Sequence, residues 1–365
     1  MKDTAITVGE LLEHSEVKHL LRPGDVESIT LTLSKPEQTR KDPLYIRILS
    51  GVGAWFASIF ITAFLEMSGI FIHETGAIIC GVAFIAVAMT LAKTCTSTFP
   101  RQLALAMAFA GNALLVIGIT RLFGHSSSHD TTLLVLLLSH GVICTTIYLL
   151  YPSTVYRFFA PLAIAIIATI WISVEIKTFE MMHLLIAGET LLFGILLLHT
   201  RRTAFVQPLI HAAATMLPAT ILFMNLTQGA LLDWHIWRAV PARPLLPSSA
   251  LLAVGMIYLL VRLSGGVKQY RQPWLIVAVV AILLLGIFTT PGILVAIGLL
   301  IAGYAFGDRA LTALAYLFLP CFLVVFYYAM NISLAHKSWM VAGSGLILLA
   351  VRWLLQQRAS QEVAS

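Results

Sequence analysis

The feature that most constrains this chain is a succession of apolar runs, each near twenty residues long and separated by short polar turns. In a bilayer no water satisfies backbone N–H and C=O groups, so a spanning segment must be a helix or part of a closed barrel. Barrel strands alternate in units of roughly ten residues, whereas a helix needs about 20 apolar residues to cross a ~30 Å core. Runs fall at 45–66, 70–92, 102–120, 131–151, 156–175, 180–199, 204–224, 248–263, 274–290, 292–306, 310–330 and 337–354. The expected fold is all-α: a polytopic transmembrane helical bundle of about twelve spans. Composition agrees, with 59% hydrophobic and only 11% charged residues. Soluble domains carry roughly 25% charge, so soluble, disordered and nucleic-acid-binding chains are excluded as first readings. The Thr289-Thr290-Pro291-Gly292 segment reads as a tight turn, since Pro-Gly punctuates strongly.

Lys and Arg set the orientation. With the N-terminus placed in the cytoplasm, 18 of the 23 basic residues fall in inner segments and five in outer ones. Both termini are therefore expected in the cytoplasm, in a multi-pass inner (plasma) membrane protein whose first partner is the lipid bilayer. The +6 net charge reflects these loops and gives no reason to expect a nucleic-acid partner. Residues 1–43 form a polar head, with Val8, Leu11, Leu12, Val17, Leu20 and Leu21 at the spacing of a short amphipathic helix. The membrane domain is expected over 44–355 and a cytoplasmic tail over 356–365. The longest outer loop, 225–247, carries Trp234 and Trp237 beside Asp233 and Arg238, which reads first as interface anchoring. Cys80, Cys95, Cys144 and Cys321 are scattered and read as small core residues. In the run 292–307, Gly298, Ala302, Gly303 and Gly307 have the small-xxx-small spacing of helix packing.

Ionisable groups inside a membrane are costly and point to function by default. Four polar residues sit deep in their runs: Asn112, His140, Glu189 and His211. At ~1.5 Å per residue they lie ~10–17 Å from the inner face, which clusters them at mid-membrane. Folding the sixth and seventh runs about Arg201 sets Glu189 opposite residue 213, within a turn of His211. Such a pair could relay a proton, or could simply join two helices by a hydrogen bond. Pro218 cannot donate to the Ala214 carbonyl and is expected to bend the seventh helix near His211. No HExxH, GxSxG or GxxxxGK[ST] pattern is present, so an enzyme is not favoured. No cofactor or metal is called for.

Two segments carry a resemblance. The first is Asp42-Pro43-Leu44-Tyr45-Ile46-Arg47 through Gly51-Val52-Gly53-Ala54-Trp55. The second runs from Thr290-Pro291-Gly292 through Gly303-Tyr304-Ala305-Phe306-Gly307-Asp308-Arg309 and Tyr327-Tyr328 to Arg352-Trp353-Leu354-Leu355. Together they resemble a bacterial inner-membrane family, domain-of-unknown-function family 4401, although His336 stands where that family usually has Gln. The resemblance implies partners: a second polytopic protein and a small anchored envelope protein. It supplies no catalytic residues. The expected function is thus the membrane subunit of an envelope complex. The alternative is a secondary transporter or proton-coupled permease with a mid-membrane Glu/His site.

Overall fold

A computed structural model describes residues 43–124, 129–176, 179–199, 203–228, 246–264 and 273–329, with isolated positions from 335 to 349. The amphipathic head, the centre of the 225–247 loop with its tryptophans, most of the twelfth run and the tail lie outside the described residues. Within them every regular element is a helix, joined by short turns, and none is a strand. The helices are α1 (Leu44–Met67), α2 (Glu74–Thr94), α3 (Thr98–Gly124), α4 (His129–Leu150), α5 (Thr154–Trp171), α6 (Phe179–His199), α7 (Gln207–Gln228), α8 (Leu246–Leu263), α9 (Pro273–Phe288), α10 (Pro291–Phe306) and α11 (Arg309–Ala329). A π-helical segment, Ile172–Ile176, continues α5. Eight of these helices are long and apolar enough to cross a membrane, and three shorter apolar ones follow.

Local chemistry explains where the helices stop. Pro291 opens α10 at its first turn, where a missing N–H costs nothing. Gly307 closes the same helix in the left-handed conformation, φ 64°. The expected tight turn at Thr289–Pro291 is therefore present. Pro161, Pro218 and Pro320 lie inside α5, α7 and α11, which run through them.

Side-chain contacts tie the turns into two ends. Arg157 Nε donates to the Tyr148 carbonyl, and its guanidinium lies 4.7 Å from the centre of the Phe205 ring. This joins the α4–α5 turn to the α6–α7 turn. His211 at the start of α7 bonds Asp308 in the α10–α11 turn, placing that turn at the same end. At the other end Arg121 donates to the Phe71 carbonyl, and the Leu133 N–H donates to Glu175 on the π-helical segment.

Packing divides into two cores. One joins α2 through α5 around Phe84, Met107, Ile147 and Tyr156. The other joins α6 through α11 around Ile186, Leu217, Met256, Leu294 and Phe322. Ala165 of α5 against Ala212 and Met216 of α7 links them. Where α2 crosses α3 the backbones meet closely: a Cβ on Gly111 would lie 2.8 Å from the Gly81 carbonyl oxygen, and one on Gly81 2.9 Å from the Gly111 oxygen. Backbones meet that closely only where side chains are absent.

Outside these cores the surface is apolar. On α1, Ala54 and Ser58 are buried, while Phe56, Phe60 and Phe64 are exposed. Large aliphatic and aromatic side chains are exposed on α1 to α6, α8, α9 and α11, whereas α7 is central and exposes none among its described residues. Soluble monomers rarely expose so much apolar surface, and lipid is the solvent that suits it. This is the surface of a multi-pass membrane protein.

Candidate functional site

The four deep polar residues do not form one cluster. The structure sorts them into three groups.

In the first core, Asn112 of α3 and His140 of α4 converge on Cys144. Asn112 Nδ2 donates to Cys144 Sγ at 3.2 Å, and His140 Nε2 lies 3.3 Å from the same sulfur. The Tyr156 hydroxyl points at it from α5 at 3.9 Å. His140 and Cys144 are four residues apart on α4, so they share a face. Asn112 Oδ1 is buried without a partner. A thiol is a weak donor and a weak acceptor, so this group ties three helices together through a soft, small polar centre.

In the second core, Glu189 sits halfway along α6 and is 4% exposed. Its Oε1 accepts from the Thr220 hydroxyl of α7 at 2.9 Å. Its Oε2 is buried and has no partner. The expected Glu189–His211 pairing is not what the structure shows. The hairpin does not fold about Arg201. Residues 203–206 form a turn before α7, with the Val206 and Gln207 N–H groups donating to the Thr203 carbonyl. Pairing of Glu189 with Thr220 centres the hairpin near residues 204–205. Nine residues separate His211 from Thr220, roughly 13 Å along the helix axis.

His211 instead meets Asp308. Its Nε2 lies 3.0 Å from Asp308 Oδ2, with side-chain exposures of 21% and 8%. Asp308 Oδ1 accepts from the N–H groups of Ala310 and Leu311, capping α11. Burial alone raises the Asp308 carboxyl, but His211 and these two N–H groups outweigh it and hold it below the usual carboxylate range. Beside the pair, α5, α7 and α11 line a shallow, open apolar pocket of about 480 Å³ that includes Phe158, Phe159, His211, Thr215 and Leu314.

A second cavity opens sideways. It measures about 430 Å³ and is bounded by α6, α8 and α10. Gly194, Gly255 and Gly298 line it, along with exposed Leu191 and Val254. A Cβ on Gly194 or on Gly298 would meet nothing within 4 Å. Of the small residues on α10, then, Ala302 and Gly303 serve internal packing: Ala302 is fully buried, and a Cβ on Gly303 would lie 2.8 Å from the Thr312 nitrogen. Gly298 faces the cleft.

A family model described as domain of unknown function (DUF4401) matches residues 43–358. The chain belongs to the DUF4401 family. Comparison with curated proteins and with solved structures returned no match. The matched range begins where the polar head ends and takes in all three polar groups of this DUF4401 protein. Cys144, Thr220 and Asp308 were not among the site residues expected from sequence. Asp308 had a signal, since an Asp directly before an apolar run is a helix cap. Cys144 had one too, four residues after His140. Among the described residues no group of three or more His, Cys, Asp or Glu side chains is placed to hold a metal ion.

Proposed function

We propose that this DUF4401 protein spans a bacterial inner membrane twelve times with both ends in the cytoplasm, and that it is the membrane subunit of an envelope complex. The observation that carries the complex is the lateral cleft. Glycine within a helix costs about 0.5–1 kcal/mol relative to alanine. At Gly81, Gly111 and Gly303 that cost is offset by close helix packing. Gly194 and Gly298 have no such internal contact, yet they converge on one apolar cleft together with Gly255. Small residues on a membrane-facing surface let another helix approach backbone to backbone. The occupant proposed is a transmembrane helix of the partner protein.

A photo-cross-linking residue in place of Val254 tests this in native membranes. One discrete protein adduct is expected, lost when Gly298→Leu fills the cleft. Gly298→Leu itself should fold, because a Cβ there meets nothing within 4 Å and the rest of the side chain can extend into the cleft. Adducts to lipid alone would overturn the reading.

The orientation has its own test. Reporter fusions at the 151–153 and 307–308 turns should read cytoplasmic, and fusions at the 68–73 turn periplasmic. The opposite pattern would reverse the assignment drawn from the basic residues.

A second reading, a secondary transporter or proton-coupled permease, is favoured by one observation. Glu189 is an ionisable group at mid-helix with an oxygen left unpartnered. The Glu/His relay expected from sequence is replaced in this reading by Glu189 with Thr220.

A further inference from the structure

We infer that Glu189 is a proton-binding site loaded from the periplasmic end of the bundle. The inference rests on the orientation and the permease reading proposed above.

The argument is one of position. Among the described residues from α5 onward, the buried Ser, Thr, Asn and Glu side chains are Thr169, Glu189, Thr220, Asn225, Ser248 and Ser249. Each lies at the midpoint of its helix or beyond it, towards the end opposite Arg157. Ser248 and Ser249 are in the first turn of α8, and Asn225 is in the last turn of α7. Thr169 is near the end of α5, and Thr220 lies eight residues before the end of α7. At the same end, His183 Nδ1 is 2.6 Å from Ser248 Oγ, and Thr290 Oγ1 is buried without a partner. Below Glu189 the wall changes character. Leu196 and Leu197 of α6, Ile210, Ala213 and Leu217 of α7, and Leu299 of α10 are all buried and apolar. The buried polar side chains around Glu189 therefore lie towards one end; towards the other the buried wall is apolar, and the half-buried Thr215 there turns its hydroxyl to the His211 carbonyl.

The chemistry fits a proton. An ionised carboxylate accepts only, whereas a protonated one has one O–H to place. The Thr220 hydroxyl satisfies Oε1, and Oε2 remains to carry or release the proton. The step moves one proton between water at the periplasmic face and Glu189 Oε2, with no electron transferred and no leaving group. The elements packed on α6 are α7, α8 and the π-helical segment. Their titratable groups are engaged elsewhere. Glu175 accepts from the Leu133 N–H, His211 bonds Asp308, and Arg262 donates to the Tyr258 hydroxyl at the cytoplasmic end. On α6 itself, Glu180 and His183 lie near the periplasmic start. Among the described residues the hydrogen-bond partner of Glu189 is Thr220.

Two measurements on the full chain test the site. In a background with the native cysteines replaced, single cysteines at Thr220 and Asn225 should react with a membrane-impermeant thiol reagent from the face that labels a Ser68→Cys control. Ala213→Cys should stay unreactive from both faces. The Ser68→Cys and Ser97→Cys controls report orientation separately. If they alone are reversed, the topology fails while the loading path stands. Reaction of Thr220→Cys from the Ser97 face, or from neither face, overturns the inference. In sealed vesicles of unmodified protein, the infrared carbonyl band of a protonated carboxyl should be lost when pH is raised on the Ser68 side and kept when it is raised on the Ser97 side. That band should be missing in Glu189→Gln. A band that answers to the Ser97 side, or one that persists in Glu189→Gln, overturns it as well.

Discussion

Gly111→Leu is expected to leave little or no folded protein in the membrane, whereas Gly141→Leu is expected to be tolerated. The two substitutions are alike in chemistry and in helix propensity, and both glycines lie well inside a helix. They differ in what the new side chain meets. At Gly111 even a Cβ falls 2.8 Å from the Gly81 carbonyl oxygen and 2.9 Å from Ile85. The obstacle is backbone, so no rotamer change relieves it, and α2 must separate from α3. Gly81 and Gly118 stand in the same crossing, with the Leu115 nitrogen 2.9 Å from a Cβ on Gly81 and the Glu74 carbonyl oxygen 3.0 Å from one on Gly118. Overpacking of this kind costs on the order of 3 kcal/mol or more, because the whole interface moves. A Cβ on Gly141 meets nothing within 4 Å. There the change should be neutral, or favourable by up to about 1 kcal/mol from helix propensity. Yield after membrane extraction and thermal unfolding in detergent separate the two. Equal behaviour would mean that α2 and α3 do not cross at Gly81 and Gly111.

The contrast also marks what could be read from sequence. Lipid leaves backbone polar groups one solution, so each long apolar run was bound to be a helix. The observed bounds of α1 to α11 follow the first eleven runs closely. The α9–α10 turn was legible because Pro291 cannot sit in a helix interior cheaply, and a single helix would have been too long. The Gly81–Gly111 crossing is not legible in the sequence because its two halves lie on different helices. No periodicity in one run shows where another will touch it. For two of the four deep polar residues burial was legible in the sequence; the partners of all four were not. Burial of Asn112 and Glu189 follows from their depth in apolar runs. Which groups satisfy them depends on how many residues the connecting turn consumes. Residues 203–206 shift the α6–α7 register by about two helical turns relative to a fold at Arg201, and that shift exchanges His211 for Thr220. Cys144 is not legible as a polar centre because a thiol reads as an apolar filler until an amide and an imidazole stand around it.

That register has a measurable signature in coupling energies. Glu189→Gln and His211→Gln are expected to be additive in detergent stability, within about 0.3–0.5 kcal/mol, since sites without shared partners do not couple. Glu189→Gln with Thr220→Val should be non-additive, because the second change has no carboxylate left to abandon. His211→Gln with Asp308→Asn should be non-additive for the same reason. Asp308→Asn alone is expected to be the costliest single change of the set. It weakens the bond to His211 and the charge-assisted cap of α11 together. A cap alone contributes about 1 kcal/mol. The sign of the pH dependence follows from the carboxyl. Its folded pKa lies below the ordinary value, so its contribution is present above the unfolded pKa of about 3.9 and is lost as pH falls through the folded one. Wild-type protein should therefore lose stability on acidification relative to Asp308→Asn, and the two curves should converge at low pH. Strong coupling between Glu189 and His211 would restore the hairpin about Arg201. Coupling of Glu189 to Thr220 and of His211 to Asp308 would place the mid-helix carboxyl and the His211–Asp308 pair in separate circuits, with buried Ala213 and Leu217 between them on α7.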